Sequence, residues 1–529
     1  MDIKNALLNG NTSLGIEFGS TRIKAVLLSD DGTLLASGNY DWENDLTDGI
    51  WTYPMEKVIL GLQTAYASLK SEIAAKYDIT LTSVGGIGIS AMMHGYLAFD
   101  ETGNLLVPFR TWRNTITGQA AELLTEAFSF NIPQRWSIAH LEQAILNGEP
   151  HVKDIAFITT LAGYIHYLLT GEKVLGVGDA SGMFPIDSTK NDYYADMLDT
   201  FDALQAEKGF PWKIHNILPK VLCAGECAGT LTEKGALLLD PSGDLKYGIP
   251  LCPPEGDAGT GMTATNSITV KTGNVSAGTS IFAMVVLEKA LSRVYPEIDI
   301  VTTPDGKPVA MVHCNNCTSD IDAYIKLIAQ ILADFGVSPK KSEIYDKLYK
   351  NALCAEKDAG GVLTSNLFSG EPIIGVEEGR PMLVRTPKAS FSFGNLCRSL
   401  VYSSFAALKI GMEILTVQEN VTVEKLLGHG GLFKTEGVAQ GMMASALGVP
   451  VAVMSSAAEG GAWGIAILAQ YMRKKSADET LSDYLNKRVF YNAKVVVAQP
   501  DEDDAAGFAA YLDNYKKGLA AARSAAGIE

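Results

Sequence analysis

The chain has 529 residues, 47% of them apolar and 19% charged, a composition that excludes disordered and fibrous classes and a length too great for one core. Two large domains are therefore expected. The formal net charge of −17 argues against nucleic acid or an anionic membrane surface as the main partner, because both select a positive footprint.

The opening MDIKNALLNG lacks the basic start and long apolar run of a secretory leader. Seven cysteines, an odd number in a long chain, fit a reducing cytoplasm. Three antiparallel strands are predicted first: LGIEF, then RIKAVLLS, then TLLASGNYDW after a turn at Asp30, Asp31 and Gly32. PMEKVILGLQTAYASLKSEIAAKY repeats its apolar residues at three- and four-residue intervals and predicts a helix. SVGGIGIS follows as a strand buried on both faces.

The same rhythm returns later. NSITVKTGNVSAGTSIFAMVVLE predicts paired strands around a Gly-Thr-Ser turn, a helix is expected near 395–417, EKLLGHGGLFK a strand and glycine cluster, and a further helix from Gly437. SLVYSSFAALKIGMEILTV is the most apolar long segment, but Lys409 and Glu413 interrupt it, so it reads as a buried helix. Two halves built alike suggest duplicated α/β domains, with the boundary near PLCPPEGDAGTG: a first domain over 1–255 and a second over 256–529. Ligands of such pairs usually sit in the cleft between domains.

Five stretches carry candidate chemistry. In LGIEFGSTRIKAVLLS, Glu17, Gly19, Ser20 and Thr21 crowd a turn, which is either a plain hairpin or a cradle for a phosphate and its metal ion. SAGTS places Gly278, Thr279 and Ser280 in a matching turn near the start of the other half. In EGDAGTG, Asp257 lies among small residues, where it can serve as a general base, as a helix cap, or as both. LLGHGGLFKTEG nearly spells a P-loop, but Phe433 stands where the second glycine belongs, so Gly428, Gly430 and Gly431 read instead as a flat shelf beside a planar ring. SAMMHG and TWRN bring Met93, His94, Gly95, Trp112 and Asn114, either a sugar-binding set or packing residues. HCNNCTS has no second ligand pair for a structural zinc, so Cys314 and Cys317 read as isolated thiols.

Taken in order, these stretches resemble the FGGY carbohydrate kinase family of the actin-like ATPase superfamily, and its xylulokinase-like branch through Met93-His94-Gly95. RWSIAHLEQAILNGEPHVKDIAFITTLAGYIHYLLTGE resembles that family's long helical segment, and GDASGMFPID the element after it. The resemblance implies an α/β fold of two RNase H-like domains flanking a deep interdomain cleft, and transfer of the γ-phosphate of ATP, with Mg²⁺, to a sugar hydroxyl. It implies Asp257 as base, Gly19, Ser20, Thr21, Gly278, Thr279 and Ser280 at the phosphates, and Gly430 and Gly431 at adenine and ribose. Met93, His94, Gly95, Trp112, Asn114 and Asp257 would meet the sugar, a 2-ketopentose such as xylulose or ribulose. A cytoplasmic enzyme is implied, and a homodimer is common among relatives.

Three positions depart from the family pattern. Glu17 stands for the usual Asp and would be an outer metal ligand; Trp112-Arg113-Asn114 replaces Trp-Asn-Asp; Tyr402 and Ser403 replace Glu-Gly after Arg398. Glu17 and Trp112-Arg113-Asn114 motivate an alternative, a non-catalytic nucleotide- or sugar-binding sensor.

Overall fold

The computed structural model describes residues 3–454 and 460–528. The chain divides into two compact units: Met1–Ile268 with Ile300–Val309 and Ala458–Asn492, and Thr269–Asp299 with Ala310–Ala457 and Ala493–Glu529.

In the first unit, β1 (Thr12–Phe18), β2 (Arg22–Ser29) and β3 (Leu34–Asp41) form an antiparallel meander. β4 (Gly86–Ala91) and β5 (Glu255–Gly256) add in parallel, giving the order β5-β4-β1-β2-β3. Every β4 residue is buried, as a strand covered on both faces must be. One face is covered by the helix Met55–Tyr77, which buries Val58, Leu62, Ala65, Leu69 and Ile73 at helical spacing. Against β1 and β4 lies the helix Gly460–Lys474, drawn from the far end of the chain. Glycines allow that approach: a Cβ on Gly15 would fall 2.1 Å from the Ala462 carbonyl oxygen, and one on Gly88 2.6 Å from that of Ile465.

The expected long helical segment is broken. It consists of a helix Ser137–Leu146, a 3₁₀ turn Pro150–Asp154, a short strand Phe157–Thr159 and a helix Leu161–Thr170. Gly148 (φ +65°) ends the first helix and Pro150 begins the 3₁₀ turn.

The second unit holds most of a sheet of seven strands. They are β6 (Thr272–Ala277), β7 (Ile281–Val286), β8 (Ile298–Thr302), β9 (Pro308–Cys314), β10 (Lys425–His429), β11 (Val451–Met454) and β12 (Val495–Ala498), ordered β8-β9-β7-β6-β10-β11-β12. β6 turns back antiparallel into β7, while β10 and then β11 add in parallel, the same pattern as β1, β2, β4 and β5. Phe393–Glu413 is the apolar helix, and it is buried inside this unit. Arg398 is fully buried there, its guanidinium 2.8 Å from Asp504 and donating to the Ala352 carbonyl at 3.0 Å.

Candidate active site

One rung of the first sheet gathers the acidic groups. Lys24, Glu17, Ser90 and Glu255 are direct partners across β2, β1, β4 and β5. The carboxyl ends of the parallel strands β1, β4 and β5 then deliver Gly19–Thr21, Met93–Gly95 and Asp257 to one edge of the sheet. Open α/β sheets bind ligands at that edge.

The turn after β1 is pinned by its carbonyls. Gly19 O accepts the Trp42 indole N–H at 2.7 Å, Ser20 O accepts the Tyr53 hydroxyl at 2.7 Å, and Thr21 O accepts the Trp42 amide at 3.1 Å. The Trp42 and Tyr53 rings stack at 4.2 Å, which fixes both donors. The Gly19 amide is itself spent on the Arg22 carbonyl at 3.0 Å, which closes the turn.

Glu17 lies at the start of the helix Gly460–Lys474, where its Oε2 accepts the Ala462 amide at 3.1 Å. A Cβ on Gly461 would fall 2.2 Å from Glu17 Oε1, so a side chain there would displace that carboxylate. Burial and the charge of Asp257 push its pKa up to about 7, against the Ala462 amide and Lys24, which favour the charged form.

Gly256 caps the helix Asp257–Ala264, and Asp257 is its first residue, so the capping alternative for Asp257 falls to its neighbour. Asp257 Oδ1 accepts the Met93 amide at 3.1 Å. Burial raises its pKa, while the amides of Met93, Ala258 and Asp257 itself oppose that rise. His94 follows in the left-handed region (φ +72°), with its ring 3.1 Å from the Gly182 carbonyl through Nδ1. Burial holds its pKa well below the usual value, so the imidazole is neutral. A carbonyl only accepts, so Nδ1 carries the proton and Nε2 is left as an acceptor.

The Trp112 region differs from expectation. Trp112 is 39% exposed. Asn114 is buried, and its amide is used by the backbone: Oδ1 accepts Trp51 N at 2.8 Å, and Nδ2 donates to Trp51 O at 2.8 Å and Thr111 O at 3.0 Å. Asn114 thus braces a loop rather than offering its amide to a ligand. The Arg113 guanidinium lies 3.9 Å over the Trp51 ring.

The second unit repeats the pinned turn. Gly278 O accepts the Thr318 amide at 3.1 Å and the Thr318 hydroxyl at 2.8 Å, and Thr279 O accepts the Cys317 amide at 2.9 Å. Gly430 (φ +103°) packs on β6, where a Cβ would fall 2.4 Å from the Ala277 carbonyl oxygen. Gly431 faces open space. A Cβ on Gly428 would meet the Phe433 ring at 2.7 Å, so that ring fills the space a P-loop leaves for phosphate. Cys314 and Cys317 are buried free thiols, and among the described residues no cluster of His, Cys, Asp and Glu could hold a metal by itself.

The N-terminal domain model of the FGGY family of carbohydrate kinases matches residues 12–257, and its C-terminal domain model residues 273–473. The chain belongs to the FGGY family of carbohydrate kinases. It is an ATP-dependent sugar kinase whose two sheet-containing α/β units match those of solved xylulose kinases. Xylulose kinase of Haemophilus influenzae is 22% identical over 358 residues, 66% of this chain and 68% of that one. Xylulose kinase of Klebsiella pneumoniae is 23% identical over 203 residues, 36% of this chain and 40% of that one. Among solved structures, xylulose kinase of Lactobacillus acidophilus superposes with TM-score 0.78 at 16% identity, covering 98% of this chain and 99% of that one. Plasmodium falciparum glycerol kinase with ADP reaches 0.75 at 16% identity, covering 98% and 99%.

Two features of this region escape a reading of the sequence alone. The helix N-terminus that receives Glu17 comes from 445 positions away. Asp179, within GDASG, lies beside Gly256, and its only sequence signal is a carboxylate set among small residues.

Proposed function

We propose that this kinase phosphorylates a 2-ketopentose such as xylulose or ribulose, with Asp257 as the base. The observation carrying the proposal is the solvent-accessible Asp257 carboxylate, oriented by the Met93 amide immediately beside His94. The sugar hydroxyl gives its proton to Asp257 as its oxygen bonds to the γ-phosphorus of ATP. The bond from that phosphorus to the β–γ bridging oxygen breaks, and ADP leaves. His94 Nε2 accepts a sugar hydroxyl, with Gly95 giving the close approach and Trp112 an exposed apolar face. The pinned turns Gly19–Thr21 and Gly278–Ser280 serve the phosphates, and Gly430 and Gly431 border the adenosine.

A Mg²⁺ ion fits this donor set. Mg²⁺ keeps its waters and takes one or two carboxylates together with substrate phosphates, so Glu17 beside the first phosphate turn suffices without a protein cage. When bound, the ion neutralises phosphate charge during transfer. Glu17→Gln is expected to lower kcat by about tenfold or more and to raise the Mg²⁺ needed for half-maximal rate. A Mg²⁺ titration of initial rates checks this, and an unchanged curve would make Glu17 a turn residue only. Trp42→Phe keeps the ring on Tyr53 but loses the donor to Gly19, so KM for ATP should rise roughly fivefold, the cost of one hydrogen bond. Initial rates at saturating sugar read it.

The fold leaves the sugar open, because glycerol kinase and xylulose kinase structures share it. The xylulose kinases among the relatives, and the Met93-His94-Gly95 stretch, favour a ketopentose. The test is ADP release with Mg²⁺-ATP over D- and L-xylulose, D- and L-ribulose, L-fuculose, L-rhamnulose, glycerol, gluconate and erythritol. Strongest stimulation by a ketopentose supports the proposal. Strongest stimulation by gluconate or a polyol overturns the sugar while keeping the kinase.

A further inference from the structure

Asp179 sits in a short helical turn, Val177–Ala180, and is buried. Its Oδ2 accepts the Thr160 hydroxyl at 2.6 Å, and Thr160 is itself fixed as the cap of the helix Leu161–Thr170. Its Oδ1 is buried with no hydrogen-bond partner among the described residues. That oxygen faces the segment bearing Asp257, for a Cβ on Gly256 would lie 3.1 Å from it. The same turn grips the segment a second way: the amides of Gly178 and Asp179 donate to the Glu255 carboxyl at 3.3 and 3.0 Å. A buried carboxylate oxygen without a donor costs more than it returns for stability, which points to a use elsewhere.

We propose that Asp179 is a positioning residue for phosphoryl transfer: its turn holds the Glu255–Asp257 segment through the Glu255 carboxyl, and its own carboxyl, packed against Gly256, forms with Asp257 a coupled pair that sets the strength of the base. This rests on Asp257 being that base. Asp257 is the acidic group acting on Asp179, and the Glu255 carboxyl and Tyr193 phenol in turn feel the charge of Asp179. Burial, with a smaller push from Asp257, raises the Asp179 carboxyl to about 7, while the Thr160 hydroxyl opposes the rise. When Asp179 ionises, its charge makes Asp257 more basic, and a stronger base takes the sugar proton more readily.

The experiment is the pH profile of kcat in wild type and Asp179→Asn, with KM for sugar and thermal unfolding measured alongside. The wild-type profile should show an acid limb from Asp257 and a second inflection near neutrality. The Asn variant should fold, bind sugar with KM within about twofold, lose about tenfold in kcat at pH 8, and lack the second inflection while keeping the first. Its unfolding temperature at pH 8 should equal or exceed that of wild type. A carboxyl raised in the fold binds more protons folded than unfolded, so it opposes folding as pH rises from about 4 to 7. Thr160→Val should move the second inflection upward, because the charged form loses a donor, and Thr160→Ser should return it. A second inflection that persists in Asp179→Asn would assign it to another group, such as Glu17, and overturn the inference. A loss appearing only in KM or unfolding temperature would do the same. If Asp257→Asn keeps wild-type turnover, the base assignment fails first, and that result is separate from either of these.

Discussion

Asp257→Asn is expected to lower kcat by about 10²-fold or more while leaving ATP and sugar binding nearly unchanged. Asparagine is nearly isosteric and its side-chain oxygen can still accept the Met93 amide, so the backbone at the head of the helix Asp257–Ala264 should stay in place. What it cannot do is take a proton. The wild-type pH profile carries the matching signature. Burial raises the Asp257 carboxyl, so activity should fall, on acidification, through a limb above the ordinary aspartate value of about 3.9. In the Asn variant, residual activity should lack that limb. Stopped-assay ADP release with parallel calorimetric titration of ATP separates the cases. Near-wild-type kcat would remove Asp257 from the role of base, and lost ATP binding would make its role structural.

The second large effect is expected far from the reacting atoms. Gly15→Ala places a methyl group where the Ala462 carbonyl oxygen is 2.1 Å away and the Ala466 Cβ 2.8 Å away. Neither neighbour can rotate aside, because one is backbone and the other has no freedom. The helix Gly460–Lys474 must lift from β1, at a cost of about 1–3 kcal/mol or more. The same displacement withdraws the Ala462 amide from Glu17. Stability and activity should therefore fall together, with the Mg²⁺ requirement moving as it does in Glu17→Gln. Urea unfolding and a Mg²⁺ titration on one preparation test this. A variant as stable as wild type would show that the helix does not rest on Gly15 as described.

Much of this was legible in the sequence because its signals are local. Short apolar runs bounded by turn residues marked β1 to β4, a period-3.6 pattern the helix Met55–Tyr77, and glycine-hydroxyl triplets both turns. Phe433 alone sufficed to exclude a P-loop, and the structure puts its ring against Gly428. Long-range placement was not legible. Nothing near Gly19 announces that Trp42 and Tyr53 will hold its turn, or that an amide 445 positions on will meet Glu17. Asn114 looked like a sugar ligand because side-chain amides suit hydroxyls, yet the backbone of Trp51 and Thr111 claims that amide. Asp179 was visible only as part of a family-like stretch, since its importance comes from the Gly256 backbone packed against it. Residue type shows what chemistry is available; the fold decides which groups are already engaged.

The decisive measurement is the stoichiometry of transfer, read by ³¹P NMR on wild-type protein with Mg²⁺-ATP and the ketopentose that best stimulates ADP release. One sugar phosphate ester per ADP, with little inorganic phosphate and no ester from Asp257→Asn, is the expected result. ATP bound but unconsumed with every sugar, or ADP matched only by inorganic phosphate at a rate indifferent to sugar, would contradict phosphoryl transfer to a ketose. The first outcome would leave a binding protein, and the second an ATPase.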